Sequence, residues 1–268
     1  MAVKLLVVGG GRMGGALVTG LITHRWAGAS ELALVEPVPE RRAALAVEHP
    51  GLVVLEAPGP GVVAPDGGAI LAVKPEVAEA VCRAVGATGV TRVISIVAGM
   101  ATHRLEAVLP QGAAVIRAMP NTPALVGAGV TAISGGSSVG AADLDWAEGV
   151  LGAVGTVLRL PERHLDAVTA LSGSGPAYFY LVAEALIEAG VLAGLTREVS
   201  RTLVVETLFG SAKLLVETGE EPAALRASVT SPGGTTAAAL RALESRAVRS
   251  AFIEAVASAT ERSRNLAR

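Results

Sequence analysis

The chain has 268 residues and a formal net charge of −2, and 51% of its residues are hydrophobic while only 17% are charged. A chain of this length forms one or two domains and can bury a substantial core. Because neither sign of charge is clustered, we expect no nucleic-acid partner. The single cysteine, Cys82, excludes an intrachain disulfide.

A composition this apolar requires that a membrane be considered. The most apolar window, residues 177–195, contains Glu184 and Glu188, and no uninterrupted apolar stretch reaches the ~20 residues that a spanning helix needs. Only a short apolar run, 5–8, precedes the first glycines, so no signal peptide is predicted. We therefore expect a cytoplasmic protein with no membrane partner, whose surplus apolar surface is buried between the subunits of a homo-oligomer.

The first part of the chain alternates short β-branched runs with helical patterns, which predicts parallel strands joined by crossover helices. The early candidate strands are apolar nearly throughout, as expected when both faces of a sheet are covered. They are 4–8, 31–35, 69–73, 92–96 and 114–117. Later strands at 130–134 and 156–160 flank a predicted helix at 141–154, and proline and glycine indicate loops, including one at 65–68.

A glycine-rich motif follows the first predicted strand. Gly9, Gly11 and Gly14 form G-x-G-x-x-G, and a helical pattern follows at 16–23. In this context the glycines permit a tight turn, close approach of a pyrophosphate and close packing of helix on strand. The motif predicts dinucleotide binding, with an ordinary tight turn as the alternative.

Glu36 ends the second predicted strand, where an acidic side chain accepts hydrogen bonds from the adenosine ribose. A carboxylate there favours NADH, because it repels a 2′-phosphate; the alternative is a solvated glutamate at a strand end. Arg41 and Arg42 would offset the repulsion if the loop folds back. Arg12, inside the glycine motif, either contacts the pyrophosphate or points into solvent.

After Pro161 the β-branched runs stop and Ala/Leu-rich helical patterns take over. The sequence therefore predicts an α/β fold, with a Rossmann-type dinucleotide-binding domain at 1–161 and an all-α domain at 162–268. Helices are expected at 176–189 and 197–217, the second ended by Gly219, and another helical pattern runs to the C-terminus. The window 177–195 is expected in the middle of a subunit interface or, alternatively, in the core of its own domain.

Four further segments interrupt apolar elements with polar or glycine-proline sequence. They are 72–75 (AVKP), 117–123 (RAMPNTP), 171–178 (LSGSGPAY) and 231–236 (SPGGTT). Together with the glycine motif, their order and spacing resemble the Δ1-pyrroline-5-carboxylate reductase family, over residues 7–266. The resemblance implies an NAD(P)H-dependent enzyme that reduces a cyclic imine to L-proline, the last step of proline biosynthesis.

The segment 231–236 has two interpretations from its residues alone. Its glycines leave room for a small carboxylate to reach main-chain N–H groups, and its hydroxyl side chains add donors. The alternative is an ordinary, well-capped helix start, because serine, threonine and proline are also favoured there. The helix is expected to begin near Ala237. The resemblance implies that this loop holds the substrate carboxylate, and that Thr236 acts as the catalytic residue at the ring nitrogen. The implied substrate-binding residues are Glu162, Ser231, Gly233, Gly234, Thr235 and Thr236.

The same resemblance implies a set of cofactor-binding residues. They are Gly9, Gly10, Gly11, Arg12, Met13, Gly14, Glu36, Val73, Lys74, Ala98, Met119 and Asn121. For Lys74, a catalytic role or a solvated charge are alternatives to cofactor contact. For Glu162, the alternative is a carboxylate that favours a helix N-terminus.

Several residues depart from the family pattern. Ala227 stands where the family commonly has an aspartate shortly before the loop 231–236, so any hydrogen bond that such a side chain makes is missing here. Arg12 replaces a smaller polar residue and Glu36 replaces a neutral one, so the choice between NADH and NADPH is open. The four histidines lie outside the motifs, and no metal is expected. A β-hydroxyacid dehydrogenase using Lys74 or Lys213, and a nicotinamide-binding sensor without activity, are the competing functions. The family also implies dimers assembled into a larger ring, a decamer.

Overall fold

The computed structural model describes residues 2–266. The contacts divide the chain into two compact units. The first, here called the sheet unit, contains the described residues up to Ser174 and from Ala259 onward; the second, the helical unit, is Gly175–Ser258. The boundary expected after residue 161 lies inside the sheet unit, and as a boundary between sequence domains it stays a prediction.

Within the described residues, the sheet unit is built around one sheet of eight strands. The strands are β1 (Val3–Val8), β2 (Leu32–Val35), β3 (Val53–Leu55), β4 (Val63–Leu71), β5 (Arg92–Ser95), β6 (Ala114–Met119), β7 (Gly129–Gly135) and β8 (Gly155–Arg159). Their order is β3-β2-β1-β4-β5-β6-β7-β8, and neighbours are parallel except for β6 and β7. The predicted α/β class is confirmed.

Helices connect the strands and make up the helical unit. They are α1 (Arg12–Thr23), α2 (Pro39–Glu48), α3 (Pro75–Gly86), α4 (Thr102–Glu106), α5 (Ala141–Leu151), α6 (Leu165–Val168), α7 (Gly175–Leu192), α8 (Arg197–Thr218), α9 (Pro222–Ser228), α10 (Thr235–Ser245) and α11 (Val248–Leu266). Short 3₁₀ helices occur at Ala29–Glu31, Thr122–Val126, Gly152–Val154 and Glu162–His164, and a π-helical turn at Thr169–Gly173. Proline begins α2, α3 and α9, where its fixed φ is suited to the first helical position.

The central strands are buried on both faces. Alternate residues of β1 enter different clusters, with Leu5 and Val7 in one and Leu6 and Val8 in the other. This alternation follows from the two-residue period of a strand. It explains why the strands read as continuous apolar runs.

Three features of the fold differ from the expectations. Residues 65–68 were expected to form a loop but lie within β4, because Gly67 and Gly68 serve close packing: a Cβ at these positions would lie 2.6 Å from Lys4 O and 2.6 Å from Trp146 Cζ2. The three-residue strand β3 has too few residues to show a pattern. The C-terminal helical pattern is broken between α10 and α11, where Ala247 has a φ of +54°.

The helical unit leaves much of its apolar surface exposed. Phe179, Tyr180 and Leu181 in α7 are 65%, 62% and 66% exposed, and Phe209 in α8 is 65% exposed. The window 177–195 is therefore not the core of its own unit within this chain. An apolar surface of this kind is typical of an interface with another subunit.

Candidate functional site

The residues that the sequence assigns to the cofactor lie along one edge of the sheet. Strands β1, β2, β4, β5 and β6 run parallel, and the assigned residues stand at or just after their carboxyl ends. In open α/β sheets, ligands bind at this edge. The set comprises Gly9, Gly10, Gly11, Arg12, Met13, Gly14, Glu36, Val73, Lys74, Ala98, Met119 and Asn121.

The glycine motif has three distinct environments. Gly9 has a φ of +111°, and a side chain there would overlap the carbonyl group of Ala72. A side chain at Gly14 would overlap the carbonyl oxygen of Gly9, because α1 packs directly against the end of β1. Around the Cβ position of Gly11, in contrast, nothing lies within 4 Å. These environments correspond to the turn, the helix packing and the open approach that a dinucleotide pyrophosphate requires, so the motif fits that group.

The N-terminus of α1 is available to an anion. The helix begins after Gly11, no side chain caps it, and its first turn contains no acidic residue. The first N–H groups of a helix lack intrahelical partners, and the helix dipole favours negative charge there. Arg12 is exposed at the first position, whereas Met13 packs against the core. This N-terminus is therefore suited to a phosphate.

Glu36 is only 8% exposed and is bound to the glycine motif. Its Oε2 accepts a hydrogen bond from the N–H of Gly10 at 3.1 Å, and its Oε1 accepts one from the N–H of Val38 at 2.9 Å. Glu36 is thus buried and hydrogen-bonded, which is contrary to the alternative of a solvated glutamate at a strand end. A carboxylate has about four acceptor sites, so capacity remains for ribose hydroxyls.

The loop after β2 folds back toward the glycine motif. Arg41 Nε donates to the carbonyl of Gly10 at 3.0 Å, and Arg42 Nη1 donates to the carbonyl of Glu36 at 2.9 Å. Arg41 is thus brought to the glycine motif and Arg42 to the end of β2.

Lys74 and Ala98 are exposed at the sheet edge. Lys74 immediately precedes the first residue of α3, and among the described residues it forms no ion pair. Val73 is half-buried, with its Cγ1 3.2 Å from the Cβ position of Gly9. An exposed lysine beside the glycine motif can reach a bound phosphate or ribose.

Asn121 is nearly buried, and its amide is used inside the sheet unit. Its Oδ1 accepts from the N–H of Val130 at 2.9 Å, and its Nδ2 donates to the carbonyl of Ser172 at 3.2 Å. Ser172 lies in the π-helical turn, which Met119 also approaches at Gly173. Asn121 therefore holds this turn against the end of β6.

Glu162 accepts three hydrogen bonds at the start of its 3₁₀ helix. The donors are the N–H and the hydroxyl of Thr102, both at 2.9 Å, and Arg117 Nη1 at 3.2 Å. Partial burial acts to raise the pKa of this carboxyl, but the bonds from Thr102 and Arg117 outweigh it and hold the pKa below the ordinary value. The carboxylate is thus ionised and engaged, which favours a positioning role.

Sequence reasoning missed the charged residues around Glu162. Arg117 is 7% exposed and also lies 3.9 Å from Asp166, whose Oδ1 accepts a hydrogen bond from Ser263 at 2.8 Å. The sequence contained one signal for these contacts. Arg117 is an arginine inside an otherwise apolar buried strand, and a buried charge of this kind requires a charged or hydrogen-bonding partner. The identity of the partners depends on tertiary contacts.

The loop 231–236 lies in the helical unit and leads into α10. Gly233 has a φ of +70° with nothing within 4 Å of its Cβ position, and Gly234 precedes α10 without a side-chain cap. Among the described residues, the hydroxyls of Thr235 and Thr236 have no hydrogen-bond partner. The uncapped N–H groups at this helix start are open to an anion. The helix begins at Thr235, two residues before the expected position.

The histidines have local partners or stand apart from these features. His24 Nδ1 lies 3.0 Å from the carbonyl of Gly20, and His49 Nε2 lies 3.3 Å from the hydroxyl of Thr19. Within residues 2–266, no group of three or more metal-ligating side chains is found.

Comparison with known proteins finds two matching family models and several relatives. A family model described as pyrroline-5-carboxylate reductase dimerisation matches residues 162–266, and one described as NADP oxidoreductase coenzyme F420-dependent matches residues 4–99. The chain is 43% identical to a pyrroline-5-carboxylate reductase of Synechocystis sp., over 99% of both chains.

Solved structures resemble the chain over its full length. A pyrroline-5-carboxylate reductase from Coxiella burnetii is 33% identical with a TM-score of 0.91, covering 100% of both chains. A pyrroline carboxylate reductase of Plasmodium falciparum, solved with NADP bound, is 30% identical with a TM-score of 0.85, covering 99% of this chain and 98% of the other.

Proposed function

The chain belongs to the pyrroline-5-carboxylate reductase family, and on that premise we propose that it reduces Δ1-pyrroline-5-carboxylate to L-proline with NADH or NADPH. The reaction is the last step of proline biosynthesis. It requires a site for a dinucleotide and a site for a small carboxylate.

The observation that carries the proposal is that α1 and α10 both begin at a glycine without a side-chain cap and without an acidic residue in the first turn. The first N–H groups of both helices therefore meet no side-chain acceptor. One open N-terminus in the sheet unit suits a pyrophosphate, and one in the helical unit suits a carboxylate.

The sheet unit binds and orients the cofactor. A bound reduced nicotinamide supplies the hydride for the imine carbon. Gly11 and the first turn of α1 hold the pyrophosphate, Glu36 accepts hydrogen bonds from the adenosine ribose, and Lys74 offers its ammonium to a phosphate or ribose. Asn121 positions the π-helical turn through Ser172.

The helical unit binds the substrate. The N–H groups at the start of α10 and the hydroxyls of Ser231 and Thr235 hold the carboxylate, and the Thr236 hydroxyl forms a hydrogen bond at the ring nitrogen. A protonated imine is already electrophilic, so orientation and a hydrogen-bond partner suffice without a strong acid. Glu162, in the sheet unit, has both oxygens engaged by Thr102 and Arg117, which supports a positioning role for this residue.

We further propose that the helical unit pairs with a second copy and that the dimers assemble into a decamer in the cytoplasm. The exposed apolar residues of α7 and α8 support the pairing. By length and composition alone, the helical run Glu162–Leu192 could cross a membrane, although no spanning segment was expected. Its α7 carries Glu188, which forms an exposed ion pair with Arg197 of α8 at 2.6 Å.

The decisive experiment is a steady-state assay of the purified protein with Δ1-pyrroline-5-carboxylate and either NADH or NADPH. Loss of the reduced-nicotinamide absorbance, with L-proline identified chromatographically, is the expected result. Binding of a dinucleotide without turnover would instead favour a sensor. A hydroxyacid dehydrogenase using Lys213 has little support, because that lysine pairs with Glu217 at 3.6 Å on the exposed surface of α8.

A further inference from the structure

Arg41 stands beside the glycine motif with most of its hydrogen-bonding capacity unused. Its Nε donates to the carbonyl of Gly10 at 3.0 Å. A guanidinium has five N–H donors, and no other hydrogen bond or ion pair of Arg41 exists within the described part of the chain. Its two terminal nitrogens therefore remain for an anion.

Both terminal nitrogens of the neighbouring arginine are already engaged. Arg42 Nη1 donates to the carbonyls of Glu36 and Pro37 at 2.9 and 2.7 Å, and its Nη2 lies 3.4 Å from Glu56 Oε2. Arg42 thus stabilises the loop after β2. Although the two residues are adjacent in α2, only Arg41 offers a free guanidinium edge.

Glu36 and Arg41 are bound to the same residue from opposite ends of its backbone. Glu36 accepts the N–H of Gly10, whereas Arg41 donates to the carbonyl of Gly10. The two side chains form no ion pair with each other, so neither charge is neutralised by the other. Both charges are therefore anchored to Gly10 and act on the same part of the proposed dinucleotide site.

The terminal nitrogens of Arg41 also face the first turn of α1. A Cβ at Gly15 would lie 3.6 Å from Arg41 Nη2. The field of the helix N-terminus and the guanidinium thus act on the same region, and both favour negative charge. Planar guanidinium groups bind phosphate oxygens in pairs, which gives specificity as well as affinity.

We propose that Arg41 is the specificity-determining residue for the adenosine 2′-phosphate, and that it offsets the repulsion from Glu36 so that the chain accepts NADPH as well as NADH. The inference rests on the dinucleotide site of the proposed function. It names a residue for one feature of the cofactor, the phosphate that distinguishes the two dinucleotides.

The test is equilibrium binding by titration calorimetry, without substrate, for the wild type and for Arg41→Met and Arg42→Met. Each variant removes one positive charge from α2, so Arg42→Met controls for long-range electrostatics. The ligands are NADPH, NADH, adenosine 2′,5′-bisphosphate and adenosine 5′-monophosphate. We expect Arg41→Met to weaken the two 2′-phosphorylated ligands by about tenfold or more, and the others by about threefold or less. Arg42→Met should leave the ratio of NADPH to NADH affinity within about twofold of the wild type.

Each other outcome overturns a distinct statement. If Arg41→Met weakens NADH and NADPH equally, Arg41 acts on the pyrophosphate or the glycine motif and not on the 2′-phosphate. If it changes neither affinity, or if Arg42→Met shifts the ratio as much, the inference is wrong while the proposed function stands. If the folded wild type binds neither dinucleotide, the proposed function fails together with the inference. Thermal unfolding followed by circular dichroism establishes that each variant is folded.

Discussion

Arg117 and Glu162 form an ion pair at 3.2 Å between β6 and the 3₁₀ helix that follows β8. The Arg117 side chain is 8% exposed and that of Glu162 is 29% exposed. Because both charges have lost most of their water, each depends on the other and on Thr102 for hydrogen bonds. Removing one partner of such a pair costs more than the pair itself contributes, since the remaining charge stays buried.

Replacing Glu162 by Gln should lower the free energy of unfolding by about 2 kcal/mol at neutral pH, because Arg117 then keeps only its longer contact with Asp166, at 3.9 Å. The native-state pKa of Glu162 lies below the ordinary value of 4.5. The stabilisation is therefore fully present above that value and is lost as the pH falls through the native pKa. Urea unfolding at a series of pH values should show the difference from wild type narrowing below about pH 4.5. A difference that is constant across this range would contradict the role of ionisation.

Glu244→Gln is the matched control for that experiment. Glu244 pairs with Arg249 at 2.7 Å, but both side chains are at least half exposed. An exposed pair of this kind contributes about 0.5 kcal/mol or less. A loss as large as that in Glu162→Gln would show that burial is not the reason.

Gly11→Ala and Gly14→Ala should fail in different ways. The Cβ position of Gly11 is open, so Gly11→Ala should fold normally while the new methyl group weakens NADPH and NADH binding by about tenfold or more. A methyl group at Gly14 would overlap Gly9, so Gly14→Ala should lose about 2 kcal/mol or more of stability. Calorimetric binding and thermal unfolding distinguish the two. Full cofactor affinity in Gly11→Ala would remove the pyrophosphate from this position.

Thr236→Ala should lower kcat by about tenfold to a hundredfold while the Kd for NADPH changes little, because the hydroxyl is proposed to act at the substrate nitrogen. Thr218→Ala is the control, since the Thr218 hydroxyl donates to the carbonyl of Leu214 on an exposed helix end. Steady-state kinetics and cofactor titration measure the two quantities. Unchanged kcat would exclude Thr236 from the mechanism.

Glu36→Gln should raise the ratio of kcat/KM for NADPH to that for NADH by about tenfold, because it removes a negative charge beside the 2′ position and keeps an acceptor for Gly10. Glu56→Gln, which removes a charge from the exposed end of the Arg42 contact, should leave the ratio unchanged. A ratio that stays constant in Glu36→Gln would show that the carboxylate does not select the cofactor.

Phe209→Glu should dissociate the proposed dimer. Phe209 is 65% exposed in α8, and a charge placed at a buried apolar interface is strongly unfavourable. Light scattering after size-exclusion chromatography should show a lower mass than for wild type. Val47→Glu, at an 81% exposed position of α2, should keep the wild-type mass. Equal masses for Phe209→Glu and wild type would place the interface elsewhere.

Much of the sheet unit was accessible from the sequence because its signals are local. An apolar run bounded by glycine or proline predicts a buried strand, and β1, β2, β5, β6, β7 and β8 were all located within a few residues. The strand β3 was missed because three residues are too few to show the hydrophobic pattern of a strand. The segment 65–68 was misassigned because the sequence does not distinguish a glycine needed for close packing from a glycine needed for a turn.

The residues alone were enough to predict the α/β class, the glycine motif after the first strand and the acidic residue at the end of the second, because these signals come from neighbouring residues. The folded chain was needed to show that Glu36 and Arg41 meet at Gly10 and that Glu162 is bound by Thr102 and Arg117. Those relationships join residues far apart in the chain, and their geometry follows from strand order and packing, which no local pattern encodes.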